Sequence, residues 1–200
     1  MPRPQNYIDL LVMIKPITKK VRLSVGFLSL FIAAQGLFAL PATLQSTDLL
    51  KGTPVSISTA DKKTKVFVFL SSQCPCSESH ESLLRELAQE FPDYVFTGIH
   101  SNANEKVTAA QAHFSQAKLP FTVLSDPQAQ LANVFGAVKT PHVFVVDGAG
   151  KVVFSGGVTD ASDIKKARKF YLKNALTSLN AGQSPQPSEV KTLGCRIERP

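Results

Sequence analysis

Lys65-Val-Phe-Val-Phe-Leu70-Ser-Ser-Gln-Cys74-Pro-Cys76-Ser-Glu-Ser-His80 decides how this chain is read. Its first six residues are almost all apolar and rich in β-branched and aromatic side chains, the pattern of a central strand covered on both faces. Pro75 suits the first turn of a helix, where a missing N–H costs nothing. Behind it His80, Leu83, Leu84, Leu87, Ala88 and Phe91 recur at spacings of three and four, one buried stripe that Phe91-Pro92-Asp93 ends. Cys74 therefore stands where a buried strand hands over to a helix. A helix N-terminus offers unpaired N–H groups and partial positive charge, which favour thiolate over thiol. The thiolate is the nucleophile, so the placement raises reactivity.

Outward from this stretch, strands and helices alternate. Pro41 to Thr47 reads as a short tether, and Pro54-Val-Ser-Ile-Ser-Thr-Ala60 alternates like a strand. Tyr94 to Ile99 is the next strand, and Asn104 to Leu119 a helix with Val107, Ala110 and Phe114 inward. Phe121 to Leu124 is a strand, Ala129 to Phe135 a short helix, and Val143 to Val146 a strand. The turn Asp147-Gly-Ala-Gly150 joins the last of these to Lys151-Val-Val-Phe154, a hairpin signal. A final helix is expected from about Asp163 to Asn180, with Ile164, Ala167, Tyr171, Ala175 and Leu179 as its stripe. The Pro/Ser/Gln-rich segment Gly182 to Ser188 leads to the tail Leu193-Gly-Cys195-Arg-Ile197. There is no internal repeat. The order predicts an α/β sandwich: a central mixed β-sheet flanked by helices.

With 200 residues, 44% of them hydrophobic, the chain is long enough for one globular domain with a real core. The net charge of +7 suggests an anionic partner until its distribution is examined. Arg3, Lys15, Lys19, Lys20 and Arg22 face only Asp9 in the first 22 positions, leaving 17 basic and 14 acidic side chains elsewhere. A nucleic-acid face is therefore not expected. Those early charges precede Leu23 to Leu40, a run without a charged residue. A basic region followed by an apolar one reads as an export signal, cleaved after Ala39 or Ala42. A retained anchor is the alternative, since the run is close to the roughly 20 residues a spanning helix needs. Either way the basic end stays inside and the domain is exported, periplasmic or anchored facing outward. Membrane contact is confined to this segment, and no cysteine near it could carry a lipid. The expected organisation is 1–42 signal peptide or anchor, 43–182 the α/β domain, and 183–200 a tail carrying Cys195.

Export allows cysteines to cycle through disulfides or rest in structural ones. Three cysteines is an odd number, so at least one is free, exchanging or paired between chains.

Phe69-Leu-Ser-Ser-Gln-Cys74-Pro, the Thr140-Pro141 step, Asp147 to Phe154 and Gly194-Cys195-Arg-Ile197, in that order, resemble the thioredoxin fold. The nearer resemblance is to its redoxin branch, the peroxiredoxin-like proteins of the alkyl hydroperoxide reductase/thiol-specific antioxidant superfamily, over roughly residues 43 to 200. It implies a thiol–disulfide oxidoreductase with Cys74 at the first position of a C-x-x-C motif. Leu84 falls on the usual helix leucine. The second cysteine position is Ser77, whose hydroxyl is expected to help stabilise the thiolate, and Cys76 lies between. Thr140-Pro141 resembles the cis-proline loop that faces the active cysteine and exposes a backbone for substrate pairing.

Attack by Cys74 on a disulfide leaves a mixed disulfide that a second thiol must resolve. Cys76 is close, but positions two apart on a helix point to different faces. Cys195 is distant in sequence, yet the segment from Gly182 could span roughly 45 Å when extended, at about 3.3 Å per residue. Cys74–Cys195 is the preferred disulfide, with a structural staple as its non-catalytic counterpart. No organic cofactor is implied, and the partner is a dithiol or disulfide protein.

Two other activities are weighed. Peroxidases of the superfamily carry P-x-x-x-[ST]-x-x-C and a later arginine. Here Phe67 stands where the proline belongs, and no arginine lies between Arg85 and Arg168. The chain thus departs from the pattern of those peroxidases, and hydroperoxide reduction is carried as the alternative activity. Copper is the third reading, since Cys74, Cys76 and His80 are ligands suited to Cu(I). His80 and His142 read first as a helix residue and a strand-edge residue; His100 and His113 carry no legible role.

Overall fold

In a computed structural model, residues 40–200 are described. The expected leader, 1–42, and its apolar run lie almost wholly outside them. Nine strands and four helices follow in order: β1 (Thr43–Asp48), β2 (Pro54–Ser58), β3 (Lys65–Leu70), α1 (Pro75–Glu90), β4 (Val95–His100), α2 (Val107–Ala117), β5 (Val123–Ser125), α3 (Gln130–Phe135), β6 (Lys139–Thr140), β7 (His142–Val146), β8 (Val152–Gly156), α4 (Tyr171–Asn180) and β9 (Cys195–Arg196). The main sheet runs β2-β1-β5-β4-β3-β7-β8. β3, β4 and β5 are parallel; the remaining pairings are antiparallel. This is the mixed sheet flanked by helices that the sequence predicts.

β3 is central because nothing in it needs water. Val66 to Leu70 are fully buried, and alternate side chains feed two different cores. Val66, Val68 and Leu70 meet Leu83, Leu84 and Leu87 of α1, Phe114 of α2 and Leu172 and Leu176 of α4. Phe67 and Phe69 meet Leu131 and Phe135 of α3, Phe144 of β7 and Ile197 of the tail. Lys65 is buried too; its ammonium reaches Asp61 and the Lys63 carbonyl, so the charge is paired.

Three expectations are corrected. Pro41 to Thr47 is not merely a tether: Thr43–Asp48 pairs on one side with β2 and on the other with β5. Its polar side chains hid a strand whose reward is backbone pairing. Val107 is half-exposed, while Ala110 and Phe114 point inward as expected. The final helix is shorter than its apolar spacing suggests. Asp163 caps a single 3₁₀ turn at Ile164–Lys166, and the Asp160 carboxylate accepts the N–H groups of Arg168 and Lys169. Those bonds hold the chain out of helix until Tyr171, and the buried face is Leu172, Ala175 and Leu176.

The hairpin forms as read. Asp147 Oδ1 accepts from Ala149 and Lys151 N–H groups, and Gly150 adopts φ +85°. The Pro/Ser/Gln-rich segment is laid along the sheet edge, where Ser155 exchanges backbone bonds with Ser188 and Val190. Beyond it, β9 pairs with β6 in a separate two-stranded sheet. Among the described residues, no helix is long and apolar enough to cross a membrane.

Candidate active site

Cys74 is the N-cap of α1, in extended conformation (φ −94°, ψ 112°). β3 delivers it to the helix end, and Pro75 opens the helix without needing an N–H partner. Its side chain is buried, and its Sγ is bonded to Sγ of Cys195, with the Cα atoms 5.9 Å apart and a sequence separation of 121. Cys74 Sγ also lies 3.3 Å from the Thr140 carbonyl oxygen. The Thr140–Pro141 peptide is cis. Thr140 and Cys195 are register partners of β6 and β9. The residues singled out at either end of the chain are thus brought to one point.

Cys76 is half-buried and free. Its sulfur and those of Cys74 and Cys195 all lie within 4.8 Å of one another. Ser77 is fully buried, and its Oγ accepts a hydrogen bond from the Ser71 N–H at 3.1 Å. That bond ties the first turn of α1 to the end of β3 and leaves the hydroxyl proton available to another acceptor.

His80 does not complete a ligand set with Cys74 and Cys76. Its Nδ1 sits 2.7 Å from the Cys76 carbonyl oxygen, which can only accept, so that nitrogen carries the proton. Its Nε2 is 2.8 Å from Thr159 Oγ1. Burial lowers its pKa, opposed by the bond to Cys76. The three sulfurs are the potential metal-ligand group here, and while two are joined as a disulfide they offer one thiol.

Sequence reading missed Glu105. It lies in the loop before α2, buried, and gathers Ser71 Oγ (2.5 Å), Ser72 N–H (2.9 Å), Asn102 Nδ2 (2.7 Å) and His100 Nε2 (3.0 Å); the Ser72 hydroxyl also donates to it. Burial disfavours its charge, but bonds from His100, Ser71 and Ser72 outweigh that and hold its pKa at about 2. A carboxylate therefore shapes the loop that presents Cys74. No signal announced it: Glu105 is one polar residue in a polar loop, 31 positions from Cys74.

His142 follows the cis proline and packs against Phe144 in a tilted arrangement, with ring centroids 4.4 Å apart. Burial pushes its pKa down to about 4. Among the described residues, its Nδ1 and Thr140 Oγ1 are the buried side-chain polar atoms without a partner, and they flank Pro141. Around the disulfide runs an open cleft of about 240 Å³, lined by Ser71, Gln73, Cys74, Asn102, Cys195 and Arg196 among others. A larger cleft of about 520 Å³, lined by Glu81, Arg85 and His113, contains no thiol.

The surroundings fit two-electron sulfur exchange: a cysteine at a helix N-terminus, a partner sulfur, a third thiol nearby and a facing backbone carbonyl. The fold is shared with solved structures. An uncharacterized conserved protein from Geobacillus kaustophilus superposes with TM-score 0.71 and 22% identity, covering 81% of this chain and 90% of its own. A hypothetical protein from Sinorhizobium meliloti gives TM-score 0.72 and 21% identity, covering 81% and 93%. A secreted Mycobacterium tuberculosis disulfide oxidoreductase homologous to E. coli DsbE gives TM-score 0.50 and 24% identity, covering 55% and 79%. At such identities the likeness is one of fold. No protein of curated function matches the chain. The redoxin family profile matches residues 39–170, which hold β1 through β8, Cys74 and the Thr140–Pro141 step. That match spans most of the chain, and the chain belongs to the redoxin family.

Proposed function

We propose that the protein is an exported thiol–disulfide oxidoreductase that attacks through Cys74 and resolves through Cys195. The observation that carries this reading is the Cys74–Cys195 disulfide at the N-terminus of α1, against the Thr140 carbonyl. In the reducing direction, the Cys74 thiolate attacks one sulfur of a partner disulfide. A Cys74–partner mixed disulfide forms and one partner thiolate leaves. The Cys195 thiolate then attacks the Cys74 sulfur, forming Cys74–Cys195 and releasing the second partner thiolate. The partner gains two electrons and the protein's dithiol loses two. Run in reverse, the same steps oxidise a dithiol partner. Thr140 and Pro141 bind the partner's backbone. Cys76, within 4.8 Å of both sulfurs, is the second candidate for resolution. Ser77 supports the thiolate through the shape of the Ser71–Cys74 loop and its free hydroxyl proton.

Export is supported by the basic and apolar N-terminal sequence, and the Mycobacterium tuberculosis relative in fold is itself described as secreted. The competing reading is a structural staple, favoured by the burial of Ile197 beside the disulfide. Mass-spectrometric disulfide mapping before and after mild dithiol treatment separates the two. The oxidoreductase reading expects ready opening of Cys74–Cys195 and a trapped mixed disulfide in Cys195→Ser. A bond that resists dithiol reductants favours the staple and overturns the reading.

A further inference from the structure

The tail does more than carry a sulfur. Cys195 and Arg196 add as a strand to Thr140 and Lys139, and the Ile197 N–H continues the pairing to the Val138 carbonyl at 3.1 Å. On its other side, Glu198 bonds through its N–H to Asn102 Oδ1 (2.9 Å) and through its carbonyl to the Ala103 N–H (2.9 Å). The segment is held by its backbone between two loops, the manner in which proteins bind extended peptides.

Its side chains follow strand alternation. Cys195 and Ile197, two apart, both turn inward, and Arg196 between them is exposed. Ile197 is 1% exposed and completes the core of Phe67, Phe69, Phe135 and Phe144. Gly194 has φ +143°, and a Cβ there would strike the Thr140 carbonyl and meet Pro141 Cδ at 3.4 Å. Only glycine lets the chain pass this closely. Thr140 and His142 keep unpartnered buried polar atoms at the same place.

We propose that the seat of β9 is the groove in which partner proteins are read, and that it selects an extended Gly-Cys-x-aliphatic segment. The cysteine lies opposite Thr140, the residue before it is glycine, the residue after it is free, and a branched aliphatic side chain two positions on fills the Ile197 pocket. The tail is the protein's own copy of that segment, and in the Cys74–Cys195 form it excludes a partner from the groove. This rests on the oxidoreductase reading. In the reduced protein the tail gives up this seat, the partner's cysteine sulfur takes the position of Cys195 Sγ in the mixed disulfide with Cys74, and Cys195 then attacks the Cys74 sulfur and expels the partner thiolate.

The test uses the full chain with Cys76→Ser and Cys195→Ser, so that Cys74 alone reacts. The probe is a synthetic peptide copying residues 192–199, its cysteine activated as a mixed disulfide with thionitrobenzoate. Attack by Cys74 joins the peptide to the protein and releases the coloured anion. The resident tail competes equally with every peptide, so ratios of rates are unaffected. In the peptide, Ile197→Asp and Gly194→Val should each slow capture about tenfold or more, the factor expected for losing a buried aliphatic contact or the close backbone approach. Arg196→Ala should change it less than about twofold, as expected of an exposed side chain. Equal rates for all four peptides overturn the groove and leave the oxidoreductase reading intact. Exchange with the small disulfide dithiobis-nitrobenzoate but with no peptide likewise overturns the groove alone, and failure of Cys74 to exchange with either overturns both.

Discussion

Glu105 is buried beside the thiol loop and ionised, and its role is to hold Ser71 and Ser72 in place. Its pKa sits at about 2 against an ordinary 4.5, so the folded state prefers the charged form. The stability it contributes is complete above the ordinary value and is lost as pH falls from there toward 2. His142 has the opposite charge type and a separate window. Its pKa is lowered from 6.5 to about 4, so below 6.5 the unfolded chain takes up a proton that the folded one refuses. Stability should therefore fall with pH between these values, His80 adding in the same direction. Thermal midpoints followed from pH 7 to pH 3 should show both declines. Glu105→Gln should flatten the more acid one, and His142→Phe should reduce the other without abolishing it. At the chemical centre, Cys74→Ser should remove all thiol–disulfide exchange, whereas Cys76→Ser should leave at least part of it, measured with a small disulfide substrate. The placement of Cys74 at the start of a helix was legible from its neighbours in sequence. Glu105 was not, because what makes it matter is a set of partners that folding gathers from the ends of β3 and β4 and the loops that follow them.

At the scale of elements, α1 and the tail strand illustrate two kinds of specification. α1 is amphipathic on its own terms: Pro75 starts it, Leu83, Leu84 and Leu87 face the core, and the Phe91 N–H closes it on the Leu87 carbonyl. Leu84 is fully buried beneath the site, and Leu84→Ala should cost about 2–5 kcal/mol in chemical denaturation. β9 is two residues long and has no pattern that could name it. It exists because β6 offers an unpaired backbone and Ile197 a matching apolar side chain. Ile197→Asp in the intact protein should loosen that seat by about 2 kcal/mol or more, since burial of such a side chain contributes on that order. The checkable consequence is a Cys74–Cys195 bond that opens at lower dithiol concentration, read from redox titration. β1 repeats the lesson: its polar sequence looked like a tether, and two neighbouring strands made it a strand.

For the whole molecule, the disulfide joins the first helix to the last strand across 121 positions. Closing a loop of that length restricts the unfolded chain by about 5 kcal/mol in the chain-entropy account. Oxidised protein should melt higher than reduced protein, and calorimetry of the two forms tests it; Cys195→Ser should behave as the reduced form under both conditions. Local sequence by itself determined the strand–cysteine–helix unit, the alternation that builds a mixed sheet and the hairpin. These depend on neighbours within a few positions, where periodicity and turn chemistry act. The sequence preferred Cys195 over Cys76 as the partner of Cys74, and the tertiary structure joins them; it alone decided that Thr140 pairs with the tail and that Ile197 belongs to the core. Each is a contact between distant parts of the chain, and its energy comes from surfaces that do not exist until the sheet has formed.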